Sequence, residues 1–170
     1  MAREEDASFA VALPTRRATL RLARDLAALL TKGDVVFLEG PLGAGKTFFV
    51  RGVCRALGVP SRLPIQSPTF ALVNEHEGRL PIVHADLYRL TDASELDEIG
   101  LRDLLVESVG FVEWGERFGD AVAKDGVVLE LALAAQGRRA RVTARGARGR
   151  TIVEALARDL DPRVGRLAPP

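Results

Sequence analysis

The spacing of apolar residues changes several times along the chain, and each change marks an element. Residues 8-SFAVAL-13 can form a short strand. From Pro14 and Thr15 the period lengthens. Leu22, Leu26, Leu29 and Leu30 make a helical stripe that runs to about Leu30, with Thr15 or Thr19 available as the capping group. After the turn 31-TKGD-34, the run 35-VVFLE-39 is apolar on both faces, as in a central strand covered from both sides. A helix from Lys46 to Leu57 is stopped by Gly58 and Pro60. The stretch 59-VPSRLPIQSP-68 has no period and three prolines, which predicts a loop.

Residues 69–90 read as two strands around the turn Glu77–Gly78. Residues 91–105 read as helical with a break at Gly100, and 109-VGFVEW-114 as another short apolar strand. A second hairpin spans 127–144 with its turn near Gln136–Gly137, and 151-TIVEALARDL-160 closes with a helix. Residues 1–7 and 161–170 read as a flexible N-terminus and a flexible C-terminal tail, leaving 8–160 as one domain. Helices around a mostly apolar sheet, with two hairpins added, predict an α/β fold with a mixed parallel/antiparallel central sheet flanked by helices.

Composition narrows the class. At 170 residues, with 47% hydrophobic and 28% charged residues, the chain can bury a core without disulfides or metal clips. No apolar run approaches the ~20 residues that cross a bilayer, and MAREED is not followed by the apolar core of a secretory signal. The single cysteine, Cys54, fits a reducing compartment, so the cytoplasm is the expected location and no membrane partner is expected. A net charge of +1 excludes a polycation built to coat nucleic acid. Only Lys32, Lys46 and Lys124 are lysines in a chain otherwise rich in arginine. A lysine therefore stands at position 46 where a compact ammonium suits phosphate.

That lysine sits in Gly40-Pro41-Leu42-Gly43-Ala44-Gly45-Lys46-Thr47, which satisfies G-x-x-x-x-G-K-[ST] between a buried-type strand and a helix. Glycines let the backbone turn its N–H groups onto one phosphate, and the following helix adds its positive end. Lys46 then bridges the terminal phosphates, and the Thr47 hydroxyl ligates magnesium. A carboxylate from a neighbouring strand is also needed, and two acids follow apolar runs: Asp86 after 81-PIVHA-85 and Glu113 after 111-FV-112. His84 and His76 are too few and too isolated for a metal site, so His84 reads as a packed strand residue and Cys54 as core.

The kind of nucleotide protein stays open at this level. Guanine recognition by N-K-x-D has no match, because the one asparagine, Asn74, lies in NEHE. A small-molecule kinase would need an acceptor pocket and an arginine-bearing lid. The basic stretch 138-RRARVTARGARGR-150 offers arginines for such a lid, for RNA, for a partner protein or simply for water. Arg139, Arg141, Thr143 and Arg145 share one face of its strand, with no aromatic residue interleaved.

Beyond the phosphate loop, SPTF at 67–70, HADLYRL at 84–90, ELDEIGLRD at 95–103, VEW at 112–114 and QGRRARV at 136–142 occur in the order and spacing of one family. Over residues 8 to 145 the chain resembles the bacterial TsaE (formerly YjeE) ATPases, required for threonylcarbamoyladenosine formation in tRNA. The resemblance implies a P-loop NTPase fold that binds ATP and magnesium, hydrolyses ATP slowly alone, and serves the TsaD–TsaB pair. TsaD then transfers the threonylcarbamoyl group to tRNAs reading ANN codons. By position it implies that Leu42, Gly43, Ala44, Gly45, Lys46 and Thr47 cradle the phosphates and that Thr47 and Glu113 hold magnesium. It also implies that Asp86 orders water near the terminal phosphate, that Arg138 contacts the nucleotide, and that Ser67–Phe70 approaches it. Trp114 becomes a packing or switch residue beside the metal acid. Pro41, Phe48 and Gly115 depart from the usual family pattern without removing a group that phosphate or magnesium needs.

Overall fold

A computed structural model describes residues 7–160 and 165–167. Its elements run β1 (Ser8–Leu13), α1 (Arg16–Ala27), β2 (Val35–Glu39), α2 (Lys46–Ala56), β3 (Val73–Glu77), β4 (Pro81–Asp86), α3 (Glu95–Glu98), α4 (Leu101–Glu107), β5 (Val109–Glu113), β6 (Gly126–Leu133), β7 (Arg138–Arg145), α5 (Gly146–Asp159) and β8 (Gly165–Leu167). The eight strands form one sheet in the order β3-β4-β5-β2-β6-β7-β1-β8. Strands β4, β5, β2 and β6 are parallel, and β3, β7, β1 and β8 pair antiparallel at the two sides. The mixed sheet expected from the two hairpins is the one observed.

Alternation along each strand divides the core into two layers. Val36 and Leu38 of β2, with Val109 and Phe111 of β5, join the cluster under α1, α2 and α5. Val35 and Phe37, with Val112, join the smaller cluster that includes Leu96, Leu101 and Leu105 of α3 and α4. Both faces of β2 are thus covered, which is why its residues are apolar without a gap. Cys54 is fully buried in the first cluster, and burial pushes its thiol up to about 12, with Arg55 only partly opposing the rise. Among the described residues no helix is long and apolar enough to cross a membrane.

The local signals act where the chain places them. The Thr15 hydroxyl accepts from Ala18 N at 3.1 Å and caps α1. Gly100, at φ 66°, separates α3 from α4. Several boundaries differ from the periodicity: α1 ends at Ala27 rather than Leu30, and the first hairpin fills only Val73–Glu77 and Pro81–Asp86 of residues 69–90. Two further differences change the architecture. The last helix starts at Gly146 rather than Thr151, so the basic hairpin ends at Arg145. The reason is tertiary. Arg148 donates from its backbone N to Asp125 Oδ1 at 3.0 Å, and its guanidinium donates to both carboxylate oxygens of buried Asp34 at 2.8 and 2.7 Å. Gly149 lies so close to the Gly126 backbone that no side chain would fit between α5 and β6. An apolar stripe announces none of these contacts.

The second difference is at the C-terminus. Residues 165–167, placed by composition in a flexible tail, pair with β1 in the register Ala10↔Leu167 and Ala12↔Gly165. The open edge of β1 offers unpaired backbone groups that such a strand satisfies. The remainder of the expected tail (161–164 and 168–170) and residues 1–6 lie outside the described residues.

Candidate functional site at the phosphate loop

The loop from Gly40 to Gly45 leaves the C-terminal end of β2 and turns into α2. Gly40, at φ 128°, packs so tightly on the Leu131 carbonyl that a β-carbon there would collide with it. Gly45, at φ 109°, occupies the cap position of α2 in the left-handed region. The N-terminal end of α2 therefore faces outward from the loop with unpaired N–H groups and the positive end of its dipole. Lys46 is 8% exposed, and its Nζ donates to Gly40 O at 2.5 Å and to Pro41 O at 3.4 Å. Leu42, at the crown of the loop, is 99% exposed.

The sheet brings the two acids to this loop. Strands β4 and β5 are parallel neighbours, and Asp86 is in register with Glu113. Strand alternation puts Ile82, His84 and Asp86 on one face of β4, and Val109, Phe111 and Glu113 on the same face of β5, toward the α2 layer. Both carboxylates are nearly buried. Asp86 Oδ1 accepts from Tyr88 N at 3.0 Å, and its Oδ2 accepts from the Thr69 hydroxyl at 3.4 Å. Glu113 Oε2 lies 3.9 Å from Lys46 Nζ, while Glu113 Oε1 lies 2.9 Å from His84 Nε2. Glu39, at the end of β2, is held above the usual carboxylate range, first by burial and then by the charges of Glu116 and Glu130.

Lys46, Thr47, Asp86 and Glu113 line one cleft of about 660 Å³, together with the crown of the loop, Ser67, Thr69, Tyr88 and Trp114. Trp114 has a left-handed backbone, φ 61°, and its ring sits 5.2 Å from Tyr88 and 5.8 Å from Lys46 Nζ. Leu72, the other non-glycine residue with positive φ among the described residues, accepts from Asp86 N at 2.9 Å. The backbone is thus strained beside each acid. Phe70 is 90% exposed at the end of the SPTF segment.

Arg138 is not in this cleft. It reaches the back of the loop, where Nε donates to Ala44 O at 3.0 Å and Nη2 to Gly43 O at 3.2 Å. There it borders a second recess of about 310 Å³, with Pro14, Thr15, Thr19, Phe48 and Gly137. The two hollows flank the loop; the first holds both acids, and the second is bordered by Arg16 and Arg138 and by no acid. Sequence reasoning missed this recess, which is assembled from the start of α1, α2 and the β6–β7 turn. It also read His84 as packing alone. The available signal was the spacing His84-Ala85-Asp86, which puts the imidazole on the face of a site acid.

The donor set fits magnesium. A threonine hydroxyl and a carboxylate are hard oxygen donors, and this ion keeps few protein ligands when phosphates supply the rest. Among the described residues there is no group of three or more His, Cys, Asp or Glu that could hold a metal ion.

Residues 13–142 match the family model described as threonylcarbamoyl adenosine biosynthesis protein TsaE. The chain is 43% identical over 122 residues to the tRNA threonylcarbamoyladenosine biosynthesis protein TsaE of Mycobacterium tuberculosis, covering 66% of this chain and 71% of that one. It is 36% identical over 143 residues to the Bacillus subtilis protein of the same name, covering 82% and 88%. The crystal structure of Bacillus subtilis YdiB superimposes with a TM-score of 0.75 at 28% identity, covering 92% of this chain and 98% of that one.

Proposed function

This chain belongs to the TsaE family of threonylcarbamoyl adenosine biosynthesis proteins, and on that premise we propose that it is a cytoplasmic ATP-binding and ATP-hydrolysing subunit. It supports a TsaD–TsaB pair as that pair forms N6-threonylcarbamoyladenosine in tRNAs reading ANN codons. It does not itself transfer the threonylcarbamoyl group, and tRNA reaches it through the complex. The observation that carries the reading is the convergence of Lys46, Thr47, Asp86 and Glu113 on one cleft at the N-terminus of α2.

The chemistry follows from those groups. Backbone N–H groups of Leu42 to Thr47 and the end of α2 hold the phosphates. The Lys46 ammonium leaves the Gly40 carbonyl for the phosphoryl oxygens, where its charge offsets charge that grows in the transition state. Thr47 and Glu113 would hold magnesium, which would supply positive charge to the phosphates. Asp86, fixed by Tyr88 N and Thr69, orders the attacking water. The recess beyond Ala44 and Gly45 receives the nucleoside, with Phe48 as its apolar wall.

Arg138 contributes by bracing the loop from behind. Hydrogen bonds from a charged donor contribute roughly 1.5–3 kcal/mol each when shielded, less where water reaches them. Arg138→Ala is therefore expected to weaken ATP binding about tenfold, or about 1.4 kcal/mol. Trp114, the one tryptophan, lines the cleft, so its fluorescence follows a titration with ATP and magnesium. A saturable change in the native chain, shifted to higher ATP in the variant, is the expected result. No response in the native chain would contradict the reading.

A further inference from the structure

We propose that His84 is a positioning residue for the metal acid. It ties down one oxygen of Glu113 so that the other stays turned to the cleft and out of a closed ion pair with Lys46. The inference rests on the reading of Glu113 as the magnesium carboxylate and adds a residue that reading does not contain.

The imidazole is fully buried in the middle of β4. Its Nε2 lies 2.9 Å from Glu113 Oε1, and a carboxylate can only accept, so Nε2 carries the hydrogen and donates. Its Nδ1 is buried without a hydrogen-bond partner among the described residues. Packing alone would be better served by a leucine or valine, which leaves no ring nitrogen unpaired in the core. The cost is tolerated at one nitrogen while the other holds Glu113.

The consequence lies on the far side of the carboxylate. Glu113 Oε2 and Lys46 Nζ are nearly buried neighbours, yet they stand 3.9 Å apart, and the ammonium spends its shortest contact on Gly40 O. Two opposite charges on nearly buried side chains attract strongly. Left to rotate, the Glu113 side chain would close on Lys46, and the oxygen meant for magnesium would be lost to the lysine. The bond from His84 fixes the carboxylate plane and keeps the two groups available for separate tasks. A donor behind a ligating carboxylate commonly governs metal affinity in this way, and its removal costs about 10- to 100-fold.

The test uses the full chain carrying His84→Leu, His84→Asn, His84→Gln or Glu113→Gln. Magnesium is titrated at saturating ATP and at saturating ADP with Trp114 fluorescence as the readout. Nucleotide affinity without magnesium and the melting temperature without ligand are measured alongside. Leucine offers no donor, asparagine is too short to reach Oε1, and glutamine sets an amide N–H where Nε2 stood. We expect the leucine and asparagine variants to need about 10- to 100-fold more magnesium, with metal-free nucleotide affinity unchanged. The glutamine variant should stay within about threefold of the native midpoint. A native midpoint in His84→Asn, while Glu113→Gln shifts it, overturns the role of His84 even if the leucine variant does not fold. A native midpoint in Glu113→Gln removes the metal reading itself, and this inference falls with it.

Discussion

Lys46→Ala is expected to lower ATP turnover by at least about 10²- to 10³-fold, the size of effect seen when one preorganised charge-stabilising donor is removed. The argument begins with burial. Only 8% of Lys46 is exposed, so little water screens its charge from a phosphoryl group at short range. The ammonium donates to Gly40 O and Pro41 O, which keeps it at the phosphate loop. Arginine would not substitute, because a planar fork does not fit where Nζ lies between the loop carbonyls and Glu113. The variant should retain its fold, since removing the ammonium leaves Glu113 still bonded to His84. A circular dichroism spectrum and melting curve like those of the native chain, with hydrolysis lost, is the expected pair of results. Native-like hydrolysis would remove the phosphate loop from the account.

Asp86→Asn should separate chemistry from binding. The side chain keeps its shape and one acceptor for Tyr88 N or Thr69, but loses the charge that orders and polarises a water. Positioned acid–base groups contribute about 10²- to 10⁴-fold. Because Asp86 does not belong to the loop that grips the phosphates, kcat should fall about 10²-fold while the Kd for ATP stays within about threefold. Steady-state hydrolysis and equilibrium titration on the same preparation decide it. If the substitution instead moves the magnesium midpoint and spares the rate, the metal role passes from Glu113 to Asp86.

These two residues illustrate what could be read from the chain alone. Position 46 is legible because the phosphate loop is local: its spacing, its glycines and the strand before it all lie within a dozen residues. The apolar run 35–39 announces a strand buried on both faces and the run 109–114 a short apolar strand, and both are found in the middle of the sheet. Asp86 and Glu113 could be named as strand-end acids. Their adjacency could not, because register between β4 and β5 is a non-local fact. The bond from His84 to Glu113 joins residues 29 positions apart, and the grip of Arg148 on Asp34 joins residues 114 apart. That second contact helps set the start of α5 in a stretch, 146-GARGR-150, that reads from sequence as the end of the basic hairpin. The strand Gly165–Leu167 likewise depends on the free edge of β1, which its own residues do not reveal. Periodicity reports one element at a time; the site is made where elements meet.

The measurement that bears most directly on the proposed role is ATP hydrolysis by the purified chain, alone and with the cognate TsaD–TsaB pair, with Lys46→Ala in parallel. Slow turnover alone, rising when the pair is added and lost in the variant, is what a phosphate loop serving a partner requires. Turnover that ignores the pair would leave an ATP site but contradict the role assigned to it, and a screen of small-molecule phosphate acceptors would then test the kinase alternative.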